Sequence, residues 1–403
     1  MKTILKIILL LSILVTYSVS GGSSIFGFGP HLIGTYQYPY SISALGRGGN
    51  EMSFIDSLNI NQMNYALWTK LERTTVALSF GCWGISTKSD YANITSLNAN
   101  FRGGFVALPL RKKQLVIGVG LMPRYTNDIG IKLLKVGPDK NITQKTEAKG
   151  NISEALVLFS IALSNKLSIA FDSGYDFGLI NDKTSILYNN IAYSDIIVYD
   201  EFQLQGANFG LSAFYELSDR FNLGIKYKSI TNCSVHTDRK SKNLPTAIKE
   251  TKSAVLPSLS AIGLNYKFSQ RWQVGFDCIY QDWENSYRID DQKVESVRNS
   301  YRFGVGLEKS TGDRRFVPYY EDISWRGGFF YSQMNVTVND HPVLEYGFAA
   351  GISLPIRKNR NRVDISFEYG RRGNADSTTL RENFFSINLA LLSSELWFVR
   401  EKR

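Results

Sequence analysis

Apolar and polar side chains alternate with a period of two, again and again, through most of this 403-residue chain, and that pattern limits what it can fold into. Phe221, Leu223, Ile225 and Tyr227 alternate with Asn222, Gly224, Lys226 and Lys228. Trp272, Val274, Phe276, Cys278 and Tyr280 alternate with Gln273, Gly275, Asp277 and Gln281, with Ile279 as the exception. The same rhythm runs through Tyr301–Glu308 and Val363–Gly370. A pleated strand sends successive side chains to opposite faces, so each segment has one apolar face and one polar or small face.

Followed along the chain, the pattern predicts strands at 72–86, 97–109, 114–125, 146–163, 167–178, 195–217, 220–234, 252–268, 271–285, 294–309, 320–334, 343–356, 362–371 and 382–398. Tight, mostly basic turns follow most even strands: Arg111-Lys112-Lys113, Ser164-Asn165-Lys166, Ser218-Asp219-Arg220, Ser269-Gln270-Arg271 and Arg357 to Asn361. Longer polar loops are expected near 126–145, 179–194 and 235–251. Short turns at one end and longer connections at the other, on an even number of strands, are the layout of an outer-membrane barrel; a soluble sandwich would not predict it. The fold expected is all-β, a 14-stranded antiparallel transmembrane β-barrel. Closure removes the sheet edges that hydrocarbon cannot solvate. Fourteen strands enclose more space than wall side chains fill, so something should occupy the lumen.

The N-terminus agrees with export. Lys2 and Lys6 flank and punctuate an apolar run from Ile4 to Val15, and Ser18-Val19-Ser20 precedes Gly21. Residues 1–20 are therefore expected to be a cleaved signal peptide; as an uncleaved membrane helix the run is short. The chain has 22 Tyr and 24 Phe but a slightly negative mean hydropathy, as expected when only half of each strand meets lipid. Its net charge of +10 is spread along turns and loops, which argues against a nucleic-acid partner. Cys82, Cys233 and Cys278 have no metal-like spacing, and Cys82 and Cys278 are expected as small buried strand residues. With only His31, His236 and His341, and no nucleophile, P-loop or zinc motif, no enzyme, metal or cofactor is expected. His236 is expected in a loop, and Trp283 and Trp325 as interfacial aromatics near strand ends.

Residues 21–70 do not alternate. They hold the stretch Ser43-Ala44-Leu45-Gly46-Arg47-Gly48-Gly49-Asn50 and then Asn64-Tyr65-Ala66-Leu67-Trp68. The segment is read as a hatch folded into the lumen of a barrel spanning 71–403. A solvated periplasmic leader is the alternative, and it would have little use for Leu58, Ile60, Met63, Leu67 and Trp68.

At these residues the chain resembles the FadL/TodX family of outer-membrane transporters for long-chain fatty acids and aromatic hydrocarbons. That family has a signal peptide, an N-terminal hatch with a Ser-Ala-x-x-Gly-x-Gly-Gly-like stretch, an Asn-Pro-Ala-x-Leu motif before the first strand, and fourteen strands. Here Ser43, Gly46, Gly48 and Gly49 stand for the first motif, one residue tighter, and Asn64, Ala66 and Leu67 for the second, with Tyr65 in place of proline. The resemblance implies an inward kink of the third strand that opens the wall sideways. Gly118, Gly120 and Pro123 are the residues to form it, although Pro123 also reads as a strand end. It further implies passive uptake of fatty acids or other hydrophobic small molecules across the outer membrane of a Gram-negative-type cell. Outer-membrane lipid and the barrel-assembly machinery are the expected partners. The alternative is a secretion-system scaffold or shuttle that carries cargo proteins to the cell surface.

Overall fold

A computed structural model of the chain describes residues 24, 26, 33–88, 93–136, 142–188, 194–242, 244–295, 297–310, 318–357, 361–374 and 380–395. The signal-peptide reading of 1–20, the first part of the hatch and His31 lie outside them.

Fourteen strands form one closed antiparallel barrel. They are β1 (Thr74–Lys88), β2 (Asn93–Arg111), β3 (Leu115–Val136), β4 (Ile142–Ala162), β5 (Leu167–Tyr188) and β6 (Ile196–Glu216). Two strands are interrupted, β7 as Phe221–Lys228 and Thr231–Ser241, and β8 as Leu244–Leu256 and Leu259–Lys267. Then come β9 (Trp272–Gln281), β10 (Ser300–Lys309), β11 (Ser324–Val338), β12 (His341–Arg357), β13 (Asn361–Arg372) and β14 (Arg381–Glu395). The ring closes where β14 pairs with β1, from Glu395 opposite Thr74 to Arg381 opposite Lys88. The break in β8 falls at Pro257-Ser258, where proline cannot donate to the ladder.

Burial is inverted relative to a water-soluble sheet. On β6, Phe209 and Leu211 are 53% and 59% exposed, whereas Asn208 of the same strand, facing inward, is 0% exposed. The apolar faces point out and the polar faces in, which is stable only in lipid. On β5 the exposed apolar positions run from Ile169 to Leu179, about the length of strand that crosses hydrocarbon. Trp272 stacks on Phe268 near the turn end of the wall, with Trp325 also exposed at that end, as a girdle of interfacial aromatics would be.

Several expectations are corrected here. The stretches read as loops at 126–145, 179–194 and 235–251 are largely paired strand: β3 with β4 to Val136 opposite Ile142, β5 with β6 to Ile186 opposite Ile196, and β7 with β8 to Ser241 opposite Leu244. Beyond Leu179 the outward residues turn polar, so alternation fades although the ladder continues. His236 consequently sits on β7, its Nδ1 2.9 Å from Thr251 Oγ1. Trp283 is not interfacial: it lies in a helical turn, Trp283–Ser286, 1% exposed and packed against Tyr125 and Tyr287 inside the barrel. Cys82 and Cys278 are half-buried on outward-facing positions and only Cys233 is buried; all three are free thiols.

Candidate functional site

Residues 33–71 lie inside this wall, and their local structure follows from caps and glycines. Ser41 Oγ accepts from the Ala44 amide and caps a short helix, α1 (Ile42–Leu45). Ser43 joins the cap through Asn59, whose Nδ2 donates to its Oγ at 2.7 Å. Gly48 and Gly49 then take positive φ, 69° and 87°. A Cβ on Gly48 would lie 2.6 Å from the Phe329 carbonyl oxygen of β11, and one on Gly46 2.9 Å from Gly351 of β12. Asn64 Oδ1 caps a 3-10 helix, Tyr65–Lys70, by accepting from Ala66 N, while its Nδ2 donates to the Met52 and Ala213 carbonyls. Ala66 and Leu67 are buried in the cluster that joins this segment to the wall. Tyr65, at the position where the family has proline, lies under the Lys226 ammonium, 3.9 Å from its ring centroid.

The wall holds this segment from several sides. Asp277 of β9 accepts from Asn50 Nδ2 (2.7 Å) and from the amides of Glu51 (2.6 Å) and Met52 (2.8 Å). Arg47 pairs with Glu308 of β10, which also takes Arg326 of β11 at 2.7 Å. Asp56 pairs with Arg362 of β13 at 2.8 Å, and Lys70 with Glu216 of β6 at 2.5 Å. Burial pushes the Glu51 carboxyl up to about 7, although the Ser41 amide and nearby Arg47 oppose the rise.

The third strand departs from its neighbour. β3 pairs with β2 only from Leu115 to Leu121, ending opposite Gly104. Above that level β2 continues on β1 and β3 on β4, and among the described residues no ladder joins β2 to β3. The register of β3 on β4 slips between Pro123 and Tyr125, a bulge that turns Arg124 and Tyr125 inward together. The edge of β3 so released is taken by Thr35–Tyr36, paired with Thr126 and Tyr125, and Gln37 N donates to Arg124 O at 2.7 Å. Gly118 and Gly120 are not part of the bend. They lie below it, and a side chain on them would run into the Trp68 ring and the Phe105 ring.

Arg124 joins a buried charge layer. Its Nη1 donates to Asp176 of β5 at 2.6 Å, and its Nε lies 3.9 Å from Glu154 of β4. Lys228 of β7 pairs with Glu154 and, at 3.5 Å, with Asp172. Thr231 and Asn208 donate to the same Asp176 oxygen, each at 3.0 Å. Above this layer lies an apolar chamber of about 360 Å³ lined by Ile33, Ile180, Phe202, Leu204, Val235 and Tyr287, with Arg239, Glu250 and Lys252 among its polar residues. Alternation could reveal the inward faces of these strands but not the bulges, which bring the charges together.

The fold is that of solved outer-membrane channels. The chain is similar to a toluene transporter, TbuX, of Ralstonia pickettii (14% identity, TM-score 0.63, covering 90% of this chain and 99% of that one). It is also similar to a FadL homologue of Pseudomonas aeruginosa (13%, 0.61, 89% and 99%) and to the Pseudomonas putida toluene transporter TodX (14%, 0.59, 90% and 99%). No curated protein matches it by sequence. The family model described as BamG matches residues 1–403, the whole length, and this FadL-like barrel of the outer membrane belongs to the BamG family.

Proposed function

We propose that the barrel passes small hydrophobic molecules inward across the outer membrane without energy coupling. The observation that carries this reading is the apolar chamber at the outer end of the lumen, lined by β5 to β8 and by Ile33, two residues before the Thr35–Tyr36 pair on the β3 edge. A molecule entering the chamber gains roughly 25 cal/mol per Å² of apolar surface removed from water. The charge layer around Arg124 bars an apolar molecule from going straight down, so the way out is sideways between β2 and β3. That exit is covered by Thr35–Tyr36, which must leave the β3 edge for passage. Solved channels of like fold are toluene transporters and a monoaromatic hydrocarbon channel, which supports this class of cargo.

A disulfide across the covering pair tests it. Cysteines at Thr35 and Thr126, in a background lacking the three native ones, are directly opposed and within bonding reach. Oxidised cells should take up toluene about tenfold more slowly, and reduction should restore the rate. Unchanged uptake with the bond formed would sink the sideways route.

A second reading is a scaffold for outer-membrane protein assembly or cargo delivery. It is favoured by the full-length BamG match, whose name points to the barrel-assembly machinery, and by an inner segment tied to the wall through ion pairs. Depletion that leaves toluene uptake intact but lowers the levels of other outer-membrane proteins would decide for it.

A further inference from the structure

A second cavity, about 150 Å³, lies inside the wall between β1, β2 and β9–β14, away from the apolar chamber. Its chemistry differs: Tyr36, Tyr38 and Tyr40 line one side, and Arg102, Arg302 and Arg372 face Glu345 and Glu368. With Glu382, which Arg372 also reaches, three arginines meet three glutamates and the charges balance. Most of these charges are already committed. Glu345 is shared by Arg302 (2.9 Å) and Arg372 (2.7 Å from its Nε), Arg372 also reaches Glu382 at 3.0 Å, and Glu368 accepts from Ser386.

Two guanidinium groups retain unused donors. Arg302 is 5% exposed and held flat, 4.2 Å from the Phe330 centroid and 5.1 Å from that of Tyr38, yet its Nε has no hydrogen-bond partner. Arg102 has no hydrogen bond or ion pair among the described residues. It lines the cavity because of a bulge: Ser79 of β1 faces Gly103, Phe80 faces Phe101, and Arg102 between them is turned off the outer face. Such bulges re-aim side chains at functional sites. The Arg102 stem lies over Gly81, where a Cβ would stand 2.8 Å from its Cδ. Both guanidinium groups therefore present free N–H donors to the cavity, and an anion there would complete them with charge-assisted hydrogen bonds.

The geometry points to a binding site for a small single-ring monoanion, its carboxylate on Arg102 and Arg302 Nε and its ring among the tyrosines and Phe330. A void of about this volume accepts one benzene-sized ring, and aromatic faces beside fixed donors suit a flat acid. The site does not depend on the uptake reading, since binding is measured on the purified barrel.

The test is calorimetry of benzoate on the full-length protein in detergent at low salt and neutral pH, with benzyl alcohol as the uncharged ring and acetate as the anion without a ring. Benzoate should bind about tenfold or more tightly than either. R102Q should weaken benzoate by about the same factor and leave benzyl alcohol within about twofold, while R102K keeps part of the affinity. G81A, which pushes the Arg102 stem aside, should mimic R102Q and serves if R102Q fails to fold. Absence of benzoate binding, equal affinity for benzyl alcohol, or an R102Q protein that binds benzoate as the parent does would overturn the assignment.

Discussion

Arg124 shows how much one side chain decides in this barrel. It projects inward because of a bulge one residue after Pro123, and it reaches Asp176 and Glu154 on two neighbouring strands. Removing it leaves those carboxylates buried beside only lysine, Thr231 and Asn208. R124M should therefore cost ~3–5 kcal/mol, the usual penalty for breaking a buried pair, and R124M/D176N should recover a good part of it. Thermal gel-shift midpoints of the two variants check this; a double mutant no better than the single would mean that Asp176 does not depend on Arg124. Gly118 makes the opposite case. Valine there meets Trp68, so G118V should loosen the segment inside the barrel by about 1–3 kcal/mol without straightening β3. Limited proteolysis that releases fragments ending within 33–71 would report that loosening, and unchanged protection would refute it.

At the scale of elements, the strands were legible and their corrections are physical. Alternation is a signal of the lipid band, so it placed all fourteen strands but stopped at the hydrocarbon boundary and turned the polar extensions of β3 to β8 into loops. Ile279, the one residue that broke the rhythm of β9, faces inward and packs in the core shared with Ile42, Met52 and Trp68, so the exception marked a docking point for the inner segment. Asp277, Glu308 and Arg362 read only as polar-face residues, because their partners, Glu51, Arg47 and Asp56, lie hundreds of residues away in a segment without periodicity. Pro123 marked the bulge at Arg124, whereas the bulge at Arg102 left no trace that composition or spacing could show. The inner element also carries a pH dependence. Glu51 titrates near 7 in the fold against about 4.5 when unfolded, so the fold favours its protonated form. Its contribution is least unfavourable below the unfolded value and worsens as pH rises from about 4.5 through 7. Protease protection of 33–71 should be greater at pH 5 than at pH 8, and E51Q should flatten that difference; an E51Q protein with the parent's pH profile would assign the effect elsewhere.

For the whole molecule, strand parity fixes orientation. Fourteen strands bring Thr74 and Glu395 together at one end of the wall, paired through the closing ladder. The tight turns at Ser164–Lys166, Ser218–Arg220 and Ser269–Arg271 lie at that same end, and an exported chain leaves its termini in the periplasm. The polar extensions of β3 to β8, the apolar chamber and the turn at Asn339-Asp340, both residues at positive φ, lie at the other. That turn needs only two residues with left-handed backbone, so it should tolerate an inserted epitope better than the paired strand at 183 or 240. An epitope after Asn339 should be reached by antibody on intact cells. The same epitope after Asn165 or Gln270 should be reached only once the outer membrane is permeabilised, with both proteins showing the heat-modifiable migration of a folded barrel. Reversed labelling would place the apolar chamber in the periplasm, and inward passage from that chamber would then be untenable.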